Sequence, residues 1–152
     1  MRWFKLILMI TLALLVFDTM AQKERKYIRQ GNRAFDDSNF EESEIAYRKA
    51  ADVEENKSHK TIFNVGDALY KQEKYEDAIN QFNEIAELEL SKEEKAKIYH
   101  NLGNSLLKSN KLQESIEAYK NALRNNPADM DTKYNLVYAQ KKLQEQQEQQ
   151  QN

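Results

Sequence analysis

Three glycines constrain this chain more than any other feature, because they are all the glycine it contains. Gly31, Gly66 and Gly103 lie 35 and 37 residues apart, and the residues around them recur. Tyr27, Gln30 and Ala34 flank the first, Ile62, Val65 and Leu69 the second, and Tyr99, Leu102 and Leu106 the third. Twelve residues after each glycine stands a small residue (Ser43, Ala78, Ser115), and four further on an aromatic (Tyr47, Phe82, Tyr119). Self-similarity at such a period marks a stack of supersecondary units, each unable to bury its apolar face alone. The units are helical: the chain has one Pro, and both Gly and Pro weaken helix interiors. A glycine in the first helix lets the second approach closely. The small residue is the other side of that contact, and the aromatic fills the wedge towards the next unit.

This pattern, with Pro127 just after the third unit, resembles the tetratricopeptide repeat (TPR), with conservative replacements. The resemblance implies an all-α, right-handed TPR solenoid of three helix-turn-helix repeats and a C-terminal capping helix. The spans are Glu24–Lys57, His59–Lys92 and Ala96–Asp129, then a cap over 130–143 and a Gln-rich tail over 144–152. Turns fall at Asp37-Ser38-Asn39, Gln72-Glu73-Lys74 and Ser109-Asn110-Lys111. Ser91-Lys92-Glu93-Glu94 reads as a capping box that lengthens the third repeat's first helix by about a turn. Asp129 or Asp131 caps the last helix. In that helix Val137 takes the glycine position, as a solvating terminal helix allows. The Gln/Glu tail has no apolar periodicity and is expected as frayed helix or disorder.

The N-terminus speaks to location. Arg2 and Lys5 precede a twelve-residue apolar run, Leu6 to Phe17, and small residues at Thr19 and Ala21 suit a signal-peptidase cut. The run is shorter than the roughly 20 residues that span a bilayer. It reads as an export signal over 1–21, or, uncut, as an N-terminal anchor.

The stacked first helices of such an array line a concave groove, and the 3.6-residue period separates its residues from the core. The stripe reads Ile28, Asn32 and Phe35, then Phe63, Asp67 and Tyr70, then His100, Asn104 and Leu107, with Tyr134 and Tyr138 from the cap. Asn64 and Asn101 flank it. Aromatics and amides together suit an extended or helical peptide. Arg25, Lys26, Arg29 and Arg33, then Lys60, Lys71, Lys97 and Lys108, lie on first helices, while the second helices carry Glu41, Glu42, Glu44, Glu76, Asp77 and Glu84. A groove more basic than the outer face follows, or else ordinary solvated helix faces. Some TPR domains grip a free carboxylate with a Lys/Asn/Asn/Lys/Arg clamp. Asn32, Asn64 and Lys97 match it by position, while Ile28 and Asn101 stand where two of its cations belong.

Chemistry beyond binding finds no support. Without Cys there is no disulfide or thiolate site, and His59 and His100 sit on different repeats with no ligand-like spacing, so no metal is expected. No glycine-rich phosphate loop and no activated nucleophile occurs, so neither cofactor nor catalysis is expected. A net charge of −2 gives no footprint for nucleic acid.

The segments 99–108 (YHNLGNSLLK), 115–124 (SIEAYKNALR) and 131–143 (DTKYNLVYAQKKL), with the Gln-rich end, resemble the BatC family. These are small exported TPR proteins of the Bat aerotolerance operon of Gram-negative bacteria. The resemblance implies a periplasmic, non-catalytic scaffold at the inner membrane, beside membrane proteins with von Willebrand factor A domains and a MoxR-type ATPase. It carries no contact residues. The alternative is a structural protein that self-associates through helix ends or the Gln-rich tail.

Overall fold

The computed structural model describes the backbone of residues 2–53 and 58–151. The side chains of Arg2, of 4–19 and of Gln151 lie outside the description. The side chains of the apolar run of the export-signal expectation, the expected end of the first repeat at Lys57, and Asn152 therefore lie outside the description. Among the described residues there are seven α-helices and no strand: α1 (Arg2–Asp36), α2 (Phe40–Val53), α3 (His59–Lys71), α4 (Tyr75–Ala86), α5 (Lys92–Lys108), α6 (Leu112–Asn125) and α7 (Met130–Gln151). None of them is long and apolar enough to cross a membrane.

The chain forms two compact units, Met1–Asn64 and Val65–Asn152, which divide inside α3. In the first, α1 packs on α2 around Ala34, Ala46, Tyr47 and Ala50. In the second, α4 packs on α5, α5 on α6 and α6 on α7. Phe82, Ile85, Ile98 and Tyr119 are fully buried there, and Ala139 of α7 packs with Ile116 and Tyr119, backed by Leu107, Leu136 and Leu143.

All three turns between paired helices close the same way. Ser38, Glu73 and Asn110 have φ of 61°, 62° and 59°, the left-handed conformation that ends many helices. The next residue's amide then donates back five residues: Asn39 to Ala34 (2.8 Å), Lys74 to Leu69 (3.0 Å) and Lys111 to Leu106 (2.9 Å). Orphan carbonyls are thereby satisfied without glycine.

The capping box is present. Ser91 Oγ accepts from the Glu94 amide at 3.3 Å, and Glu94 Oε2 accepts from the Ser91 amide at 3.2 Å. With it α5 reaches 17 residues, against 13 for α3. Asp129 caps α7, accepting from the Thr132 amide (3.0 Å) and hydroxyl (2.6 Å). The Gln-rich segment continues α7 to Gln151. Gln and Glu are good helix formers, and Gln144 Nε2 donates to Glu148 Oε1 one turn on at 2.8 Å.

Candidate partner-binding site

Each repeat glycine is a site of enforced contact. A Cβ on Gly31 would lie 2.6 Å from the Tyr47 ring, on Gly66 2.7 Å from Phe82, and on Gly103 2.6 Å from Tyr119. The ring of the second helix thus lies flush on the backbone of the first. Two repeats add a polar circuit. Ser43 Oγ donates to the Gly31 carbonyl at 2.9 Å, and Tyr47 OH donates to Asn32 Oδ1 at 2.8 Å. Ser115 Oγ does the same to Gly103 (2.9 Å), and Tyr119 OH to Asn104 Oδ1 (2.7 Å). The middle repeat has Ala78, Phe82 and Asp67 at these positions, so it has no hydroxyl to offer. Asp67 accepts instead from Asn101 Nδ2 at 2.6 Å. Burial pushes the Asp67 carboxyl up to about 7, against the pull of the Asn101 bond and of Lys71.

Asn104 is the best-defined polar group of the expected stripe. Its carbonyl oxygen takes both Tyr119 OH and Asn135 Nδ2, the latter at 3.0 Å. The amide is therefore oriented, and its NH2 is left to donate. It borders a cleft of about 320 Å³ lined by Tyr70, Asn104, Leu107, Lys108, Tyr134, Asn135 and Tyr138, a size that suits a few side chains of a ligand. Five stripe residues meet in it. Lys108 and Asn135 complete it, and the stripe had left both out: Lys108 falls one residue past Leu107, and Asn135 follows Tyr134. A larger recess of about 510 Å³ lies along α4, α5 and α6. The Glu76–Lys111 ion pair (2.6 Å) lies in its lining.

Other expected residues do structural work. His100 Nδ1 lies 2.6 Å from Thr132 Oγ1, whose own proton goes to Asp129. Nδ1 is thus the donor in this chain, and it ties α5 to the start of α7. Burial lowers the His100 pKa despite Asp129 and Asp131 nearby. Its edge also rests on Tyr119, 6.1 Å away. Phe35 meets Phe40 edge-on at 5.3 Å and Tyr70 meets Tyr75 at 5.5 Å, each closing its own turn. Lys97 is exposed and pairs with Glu93 at 2.7 Å. In the first unit Asn32 Oδ1 is held, among the described residues, by Tyr47 alone, while Ile28, Phe63 and Asn64 are half-buried.

On α1 the basic residues lie apart from the stripe. Lys26, Arg29 and Arg33 line a recess of about 390 Å³ with Gln30, Ala34, Asp37 and Glu42. At 100° per residue these positions lie well round the helix from Ile28, Asn32 and Phe35. Among the described residues no group of three His, Asp or Glu could hold a metal ion.

Tetratricopeptide-repeat family profiles match residues 28–89 and 96–129. The chain belongs to the tetratricopeptide-repeat family. The expected all-α TPR solenoid class is the fold of its structural neighbours. The first TPR of Spaghetti (RPAP3), bound to the HSP90 peptide SRMEEVD, is similar with a TM-score of 0.72 at 21% identity, over 80% of this chain and 94% of that one. The TPR2AB domain of yeast Sti1, in complex with pHSP90, is similar with a TM-score of 0.72 at 24% identity, over 84% of this chain and 50% of that one. In sequence, the STIP1 homolog of Dictyostelium discoideum is 30% identical over 109 residues, 69% of this chain. The chain spans 19% of that relative's length. TPR domains of this kind are generally non-catalytic protein-interaction scaffolds.

Proposed function

We propose that this TPR protein is a non-catalytic adaptor that holds an extended segment of a partner protein in the cleft beside Asn104. The observation that carries the reading is the locked Asn104 amide. Its oxygen is held by Tyr119 and Asn135, which leaves its NH2 to donate, and Asn104 lines a cleft walled by three tyrosines and Lys108. An oriented donor costs a ligand no reorganisation, and it suits a peptide carbonyl. Tyrosines supply contact area at low entropic cost. The peptides bound by the Spaghetti and Sti1 domains support this use of the fold.

Capture of a free C-terminal carboxylate through the clamp positions is a poorer fit. Asn101, where a cation belongs, is bonded to Asp67, an acid that a carboxylate ligand would have to approach. The resemblance of 99–108 and 131–143 to BatC extends the proposal. The partner is a membrane protein with a von Willebrand factor A domain, and the chain is exported and works at the periplasmic side of the inner membrane.

The test is capture of partners from detergent-solubilised native membranes by the full chain, beside Asn104→Asp/Lys108→Glu. Aspartate keeps an oxygen acceptor for Tyr119 and Asn135 while removing the donor, so the fold is retained and the cleft turns acidic. Loss of the captured proteins with the variant supports the reading. Equal capture by both removes the cleft from it, and the identity of the captured proteins decides the membrane-partner extension.

A further inference from the structure

Asn32, Asp67 and Asn104 stand one residue past the three repeat glycines, and only the middle one is an acid. In the first and third repeats a tyrosine hydroxyl bonds the amide at this place. Phe82 has no hydroxyl to give. Among the described residues the Asp67 carboxylate therefore takes one hydrogen bond, from the neutral amide of Asn101. Asp67 is half-buried. Its Oδ2 has no partner among the described residues, and no side-chain oxygen is both buried and unbonded there, so Oδ2 is open to solvent. Lys71, one turn along α3, acts on the carboxyl more weakly than the Asn101 bond does, and burial outweighs both. Lys108 acts on the Tyr70 hydroxyl rather than on Asp67.

Asparagine would fill this place without charge, as it does in the neighbouring repeats. An acid held against burial, with no cation bonded to it, is the kind of local misfit that a functional site retains. Its setting fits a cation. Tyr70, three residues on, lines the cleft beside Asn104, and the face of such a ring attracts an ammonium or guanidinium. A carboxylate oxygen that accepts from either group makes a charge-assisted bond, roughly twice as strong as a neutral one. Asp67 and Asn104 also hold the same place on α3 and α5, one as acceptor and the other as donor. Helices joined by so direct a side-chain bond as Asn101–Asp67 have axes on the order of 10 Å apart. An extended chain covers that distance in about three residues.

We propose that Asp67 selects a basic residue in the bound segment: a Lys or Arg side chain of the partner pairs with Asp67 Oδ2, about three residues from the peptide group held at Asn104. The proposal rests on the adaptor reading and adds to it the charge of the segment.

Random dodecapeptides displayed on phage are selected on the full chain in neutral detergent, and in parallel on Asp67→Asn, Asp67→Lys and Asp77→Asn. Asparagine at 67 keeps an acceptor for Asn101. Asp77→Asn removes an exposed acid of α4 and controls for the change in net charge. Clones that Asn104→Asp/Lys108→Glu fails to bind are the cleft ligands. Among those of the parent, Lys and Arg should be enriched about fivefold at one position, and Asp67→Lys should select Asp or Glu there. In a synthetic cleft ligand, replacing that basic residue by Gln should weaken binding to the parent and to Asp77→Asn about tenfold, and to Asp67→Asn less than about twofold. The Asp67→Asn comparison decides if Asp67→Lys does not fold. Cleft ligands with no such basic position, or whose basic residue matters equally to Asp67→Asn, overturn the proposal and leave the adaptor reading standing. The absence of any cleft ligand overturns both.

Discussion

The first and third repeats solve one packing problem with hydroxyls, and the middle repeat solves it without them. In all three a ring lies against a glycine backbone, closer than any Cβ would allow. Where that ring is Tyr47 or Tyr119, it also bonds an Asn one residue past the glycine, and a serine bonds the glycine's carbonyl. Where it is Phe82, the residue past the glycine is Asp67, left to Asn101 and to burial. The apolar contact is thus the invariant of the repeat. The polar circuit is an addition that orients an amide on the first helix, and one repeat forgoes it and keeps a titratable acid in its place.

The largest effect should come from filling the shared contact. Gly103→Ala places a methyl 2.6 Å from the fully buried Tyr119 ring and so disturbs its bond to Asn104 as well. Alanine's better helix propensity returns only about 1 kcal/mol. A net loss of about 3 kcal/mol is expected, from the overpacking and the lost bond together. Gly66→Ala meets only the Phe82 ring, and about 2 kcal/mol is expected. Urea denaturation compares them. Equal losses would mean that the polar circuit adds nothing to the third repeat.

Asp67 gives the contrast a pH signature. Its carboxyl is raised to about 7, so between about pH 4 and 7 the folded chain holds a proton that the unfolded chain has released. The Asp67 contribution to stability therefore falls as pH rises through that window and levels off above it, while His100, whose pKa burial lowers, contributes in the opposite sense. Asp67→Asn removes that contribution. It should match the parent at pH 4 and exceed it at pH 8 by about 2 kcal/mol, about half the ideal ~1.4 kcal/mol per unit because the carboxyl is partly exposed. Phe82→Tyr should act the same way, since a hydroxyl placed as in Tyr47 and Tyr119 would bond the carboxylate and lower its pKa. A difference between Asp67→Asn and the parent that does not grow from pH 4 to 8 refutes the account of Asp67.

Tyr119→Phe converts the third repeat's ring to that of the middle one. Asn104 keeps its bond from Asn135, so no buried acceptor is orphaned, and the loss should be about 1 kcal/mol. Asn104 then loses half of what orients it. Partner capture should weaken more than stability does, and that divergence ties the circuit to binding.

Much of this was legible before any coordinates. The glycine period, the paired small and aromatic residues, the three turns and the Ser91 capping box all depend on local spacing, and spacing is what a linear chain displays. What stayed hidden depends on partners across helices. Ser43 and Ser115 were legible as small residues, yet each is also a donor to a glycine carbonyl. The covariation of Ser, Tyr and Asn against Ala, Phe and Asp was the available signal. His100 has the position of a groove residue, but its Nδ1 is bonded to the hydroxyl of Thr132, thirty-two residues away. Lys26, Arg29 and Arg33 were read by their helix alone, with a basic groove and solvated faces both open, and the helical period turns them away from the stripe into a recess of their own.

The turns offer the smallest test, and again the middle repeat differs. All three end their first helix with a side chain in the left-handed conformation, which costs a non-glycine residue roughly 1 kcal/mol. Asn110 tolerates it because a short amide can bond locally, whereas Glu73 has a long side chain with no such compensation. Glu73→Gly should therefore stabilise the chain by about 0.5–1 kcal/mol, less than the full cost because glycine also loosens the unfolded state. Asn110→Gly should gain only a few tenths. Both keep the backbone amide that bonds five residues back, so the turn geometry is unchanged. If Asn110→Gly gains as much as Glu73→Gly, the strain belongs to the turn and not to the side chain in it. The middle repeat would then differ from its neighbours only at the glycine contact.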